Sequence, residues 1–73
     1  MFDVCLRRAD HTREYFVSNR SEAGWEIRSE EDRTLRKHVF HRDWHRVERT
    51  LSVFRAEIAE LQSQGWQVQS PRH

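Results

Sequence analysis

Three histidines stand close together in the middle of the chain, as His38-x2-His41-x3-His45. Imidazole nitrogens are good zinc ligands, and a catalytic zinc can be held by three of them. The spacing argues against that use here. Strand alternation sends His38 and His41 to opposite faces, and His45 lies beyond a strand-to-helix turn. Asp43 is the one nearby carboxylate that could orient a ligating ring. The expectation is solvated or hydrogen-bonded histidines and no bound metal.

Arg36, Lys37, Arg42, Arg46 and Arg49 form a second cluster, interleaved with Phe40, Trp44 and His45. Cations beside aromatic rings suit single-stranded nucleic acid, whose phosphates follow a positive groove while its bases stack on ring faces. Residues 33–49 carry five Arg and one Lys against Asp43 and Glu48, a balance of +4. Residues 1–32 balance at −3 and residues 50–73 at zero. The middle segment is therefore the one whose charge suits an anionic partner. Asp43 and Glu48 interrupt it, however, and Arg46 and Arg49 can equally solvate the outer side of a helix.

Catalytic groupings are weaker still. Cys5 is the single cysteine, and no base or oxyanion donor can be assigned to it. Ser18, Ser21 and Ser29 sit in polar surroundings without a nucleophile elbow. Glu57 and Glu60, three apart on a helix, are the ordinary dress of a solvated face. Gly24 and Gly65 are the only glycines, so no glycine-rich phosphate loop exists. The sequence reads as non-enzymatic and without a cofactor.

The elements that would position these residues come in two periodicities. Phe2, Val4 and Leu6 alternate with Asp3, Cys5 and Arg7, as in a strand with one buried face. Residues 13–18, with Tyr15 and Val17 inward, and residues 23–28, with Trp25 and Ile27 inward, read as two more strands. Ser29-Glu30-Glu31-Asp32 reads as an acidic loop. Residues 34–41 give a fourth strand, with Leu35 and Val39 assigned inward because two apolar positions outvote Phe40. From Trp44 the period changes: Trp44, Val47, Leu51, Phe54, Ile58 and Leu61 make one helical stripe. Asp43 is placed to cap the helix start. The helix is expected over about 43–63, with Gly65 as a left-handed end cap and Trp66 folding back on Leu61. Residues 67–69 allow a short final strand, and the tail from 70 to 73 is expected to fray.

Seventy-three residues make one small α+β domain: a four-stranded antiparallel meander covered on one face by a single C-terminal helix. The stripe could instead form a coiled-coil seam, but the strands need a cover and this is their only helix. A core this small is marginal, and a lone Cys5 excludes a disulfide within the chain, so self-association is the expected source of further burial. One thiol suits a reducing, cytoplasmic setting. No segment has the length of apolar sequence needed to span a membrane, and the start of the chain lacks signal-peptide character.

The strand Gly24-Trp25-Glu26-Ile27-Arg28, together with Phe54 and Gly65-Trp66, resembles the WGR domain, a small nucleic-acid-associated module, although its Trp-Gly-Arg tripeptide is absent. The layout is also similar to that of single-strand-binding transcriptional coactivators. Both resemblances imply a nucleic-acid partner, but likeness at the level of fold does not assign function, and neither is adopted. The reading is a protein-interaction module, expected to form a homodimer through the sheet face that the helix leaves open, with Phe16, Arg36 and Phe40 as contacts. The alternative is nucleic-acid binding through Arg36, Lys37, Arg42, Arg46 and Arg49.

Overall fold

In a computed structural model, residues 2–69 are described. The strands are β1 (Phe2–Arg8), β2 (His11–Asn19), β3 (Trp25–Glu31) and β4 (Thr34–His41), followed by helix α1 (Trp44–Ser63) and a short strand β5 (Gln67–Gln69). They form one antiparallel sheet in the order β4-β3-β2-β1-β5. The expected meander covered by one helix is present, and the short final strand adds to its β1 edge. The frayed-tail expectation for 70–73 lies outside the described residues.

Alternation dictates the core. Leu6, Tyr15, Val17 and Ile27 project from three neighbouring strands and are fully buried beneath Val47, Phe54 and Leu61 of the helix. Tyr15 is central: its ring lies 4.9 Å from that of Phe54, and its hydroxyl donates to Glu57 Oε1 at 2.9 Å. Burial and that carboxylate push the phenol above its usual range. Leu51 and Ile58 are half-buried along the same stripe. Truncating a core ring such as Phe54 to Ala ordinarily costs about 3–5 kcal/mol.

The helix begins and ends as its sequence dictates. Asp43 Oδ1 accepts from the His45 amide at 3.0 Å. At the far end Gly65 takes φ 99°. The Trp66 amide donates to Leu61 O and the Gly65 amide to Gln62 O, the pair of hydrogen bonds that defines a Schellman cap.

Three expectations need correction. The acidic segment is not a loop, because β3 continues through Glu31. Ser29 is small enough to be buried on the helix side, opposite Tyr15 on β2. The turn is only Asp32-Arg33, both at positive φ, as a two-residue hairpin with the favoured twist requires. Asp32 then ties this turn to the first hairpin, accepting from the Thr12 amide at 2.9 Å and meeting His11 Nδ1 at 3.2 Å. The Thr12 amide and then His11 hold its carboxyl below the usual range.

The second correction concerns β4. Ser29 pairs with Lys37 but Glu30 pairs with Leu35, so Arg36 is the extra residue of a β-bulge. Val39 faces the helix as expected. Leu35 does not: the bulge turns it to the open face with Glu30, while Arg36 goes to the helix side beside Arg13 and Glu57. Third, Trp44 is no core residue. It is 45% exposed and leans on Trp25, ring centroids 4.8 Å apart.

Gly24, which begins the path into β3, has φ 92° and ψ −141°. A Cβ there would lie 2.5 Å from the His41 carbonyl oxygen. Gly24→Ala should therefore destabilise by about 2 kcal/mol or more, combining strain with a backbone clash. Gly65→Ala, which meets only Arg8 Nε at 4.0 Å, should cost about 1 kcal/mol from its left-handed backbone alone. Urea denaturation of the two variants checks that order.

Candidate functional site: the open sheet face

The face away from the helix is organised by Glu26, the second residue of β3, whose side chain is nearly covered. One carboxylate oxygen accepts from Arg20 Nε at 2.7 Å. The other lies 2.7 Å from His38 Nε2 and 3.6 Å from Arg28. Arg20 first, and then His38, hold the Glu26 carboxyl below the ordinary glutamate range. A carboxylate among three basic groups can leave water because each of its oxygens has a close partner.

Phe16 is part of the same cluster. The Arg28 guanidinium lies 4.3 Å from its ring centroid, and Arg20 approaches at 6.0 Å. Phe16 is thus half-buried under cations, where it contributes through stacking with Arg28. Phe40 lies opposite Glu26 in the register and 5.5 Å from the His38 ring. It remains 50% exposed, and Leu35, further along the same strand and on the same face, is 52% exposed. The edge strand therefore carries the apolar area of this face, with His38 between its two ends.

Of the three expected contacts, Phe16 and Phe40 share the open face and Arg36 does not. Arg36 lies across the sheet, 3.7 Å from Glu31. Leu35 takes its place, a residue that alternation alone assigns to the core. Among the alternative basic set, Arg46 and Arg49 line a recess with His41, Asp43, His45 and Thr50 where β4 meets the helix. Lys37, opposite buried Ser29, points to the helix side of the same edge. Arg42 packs its side chain against Gly24. Arg36 is separated from Arg46 and Arg49, beside Glu57 and Glu60.

The histidines are distributed as their parity requires. His38 meets Glu26 on the open face, His41 pairs with Trp25 on the helix side, and His45 lies near Glu48 on the helix. Among the described residues no three His, Cys, Asp or Glu side chains converge in a way that could hold a metal ion. Cys5 pairs with Glu14 on the open face. Burial, then Glu14 and Asp3, raise its thiol pKa, which opposes the thiolate that a nucleophile needs.

Toward β1 the open face turns acidic. Glu14 stands opposite Glu30, and burial followed by Asp3 and Glu30 raises its carboxyl above the ordinary range. A carboxyl raised in this way costs stability when ionised, and the cost vanishes once both folded and unfolded chains are protonated. Glu14→Gln should therefore stabilise the protein at about pH 7 and lose that advantage as pH falls through the raised folded pKa toward the ordinary glutamate value near 4.5. Urea midpoints across that interval measure it, and a gain independent of pH would remove the electrostatic explanation.

Among the described residues, no helix is long and apolar enough to cross a membrane. No family model, no curated protein and no solved structure matches this chain.

Proposed function

We propose that the protein is a non-enzymatic interaction module that self-associates through the β4 side of its open sheet face. The observation that carries this reading is the half-exposure of Leu35 and Phe40 on one face of an edge strand. Large apolar side chains beside an unpaired strand edge favour covering by another chain. A second copy brings an identical strand, and a two-fold axis near His38 would set Leu35 of one protomer toward Phe40 of the other. The small core gives such a contact a thermodynamic role, because it adds apolar burial to a fold of this size. Lys37 and the bulge limit the edge to a defined contact and oppose open-ended strand addition.

Phe40→Ser removes half of the apolar pair without touching the core. Sedimentation velocity across a concentration series should show the wild type associating and the variant with a dissociation constant at least about tenfold higher, equivalent to roughly 1.4 kcal/mol. A wild type that stays monomeric at high micromolar concentration removes this reading.

A second reading is favoured by the recess holding His41, Arg46 and Arg49, where β4 meets the helix. Among the described residues, neither arginine has a carboxylate partner, so both are available for phosphates. On this reading a single-stranded oligonucleotide binds there and is released by salt with the steepness of a few phosphate contacts. An Arg46→Gln, Arg49→Gln double variant should weaken the gel shift and flatten its salt dependence. No shift at low salt excludes it.

A further inference from the structure

We infer that the groove beside the first half of α1 binds an acidic amphipathic peptide segment of a partner protein. The groove encloses about 770 Å³, a volume suited to several side chains. Phe2, Val17, Trp25, Trp44 and Leu51 line it. These residues lie at a sheet corner and helix flank where Val17 is buried at the base and Trp44, although it begins the apolar stripe, is half-exposed.

Charge selects the occupant. Arg49 and Arg55 stand on the helix rim of the groove. Among the described residues, no carboxylate pairs with either. Arg55 instead lies 5.9 Å from the Phe2 ring centroid. Also on the rim, the His45 ring and the Glu48 carboxylate face each other at 3.8 Å. Two free guanidiniums six positions apart, about 9 Å along a helix axis, match carboxylates roughly two turns apart on an incoming helix. Its apolar side chains would enter the floor, as in helix-in-groove recognition.

A nucleic-acid strand fits less well. The Trp25 and Trp44 rings are inclined at 52° and form no parallel shelf for successive bases. This site is on the helix side of the sheet and does not rest on self-association through the open face.

The test uses a fluorescein-labelled helical peptide of about 15 residues, with Leu and Phe at i, i+3 and i+7 and Glu on the flanks. A sister peptide carries Lys at every Glu position, and an oligothymidylate of similar length is the third probe. The Glu peptide should bind with an anisotropy change and shift the indole N–H resonances of Trp25 and Trp44, while the Lys peptide should not. Arg49→Gln with Arg55→Gln should weaken binding at least about tenfold, or roughly 1.4 kcal/mol. Both positions are exposed, so the fold is retained and circular dichroism verifies it. Equal binding of the two peptides, tighter binding of the oligonucleotide, or unmoved indole resonances would each overturn the inference. Sedimentation reads self-association separately, so failure of that reading leaves this outcome intact.

Discussion

A single helix has to close the whole core, and most other features follow from that constraint. The twenty residues of α1 supply Val47, Phe54 and Leu61 to cover Leu6, Tyr15, Val17 and Ile27. Tyr15 joins the layers twice, by its ring against Phe54 and by its hydroxyl to Glu57. A helix is only about 10 Å across with its side chains, whereas five strands at 4.8 Å spacing span roughly twice that. The helix therefore seals the centre of the sheet and leaves its flanks. On one flank Arg13, with its guanidinium 5.8 Å from the Trp66 ring, fills in from the sheet. On the other, Trp25 and Trp44 cover each other and leave a groove.

The opposite sheet face has no helix and is stabilised by electrostatics. Glu26 collects Arg20, Arg28 and His38, and Arg28 in turn covers Phe16. Such a network fixes side chains without adding much burial, because ion pairs open to water contribute little each. Its value lies in satisfying a carboxylate whose side chain is nearly covered on β3, next to the edge strand. The apolar residues left over sit at the β4 edge, where neither helix nor network reaches.

Most of this fold was legible in the residues. Period-two alternation identifies the inward side chains of β1, β2 and β3, and the 3–4 spacing with Asp43 and Gly65 frames the helix. The failures have specific causes. Parity is a strict rule only while pairing is unbroken, and one bulged residue, Arg36, reverses the facing of everything on its far side. Val39, on the near side of the break in pairing, keeps the face that alternation gives it, while Leu35 and Arg36 exchange faces. The helical stripe specifies a direction but not where the sheet beneath it ends, so it could not show that Trp44 lies over a corner. Ser29-Glu30-Glu31-Asp32 looks like a loop by composition. The strand continues through it because Glu30 on the open face meets Arg28, and Glu31 on the helix side meets Arg13 and Arg36. The Glu26 cluster was assembled from residues individually unremarkable in sequence, and only the register brings Arg20, Arg28 and His38 to one carboxylate.

The two candidate surfaces are separated by a single strand. On β3, Trp25 borders the groove while Glu26, the next residue, anchors the open face. Across the ladder, Trp25 pairs with His41 and Glu26 with Phe40. The surfaces are nevertheless electrostatically opposite. The open face collects Asp3, Glu14 and Glu30 toward β1, whereas the helix rim carries Arg46, Arg49 and Arg55. With a net charge of only +1, the protein has little overall field to attract a partner, so selection depends on these local fields. An acidic segment approaching at random is repelled by the β1 side of the open face and attracted to the helix rim. The apolar β4 edge, flanked by the internally paired Glu26 cluster, discriminates less by charge, which leaves its selectivity to shape and burial.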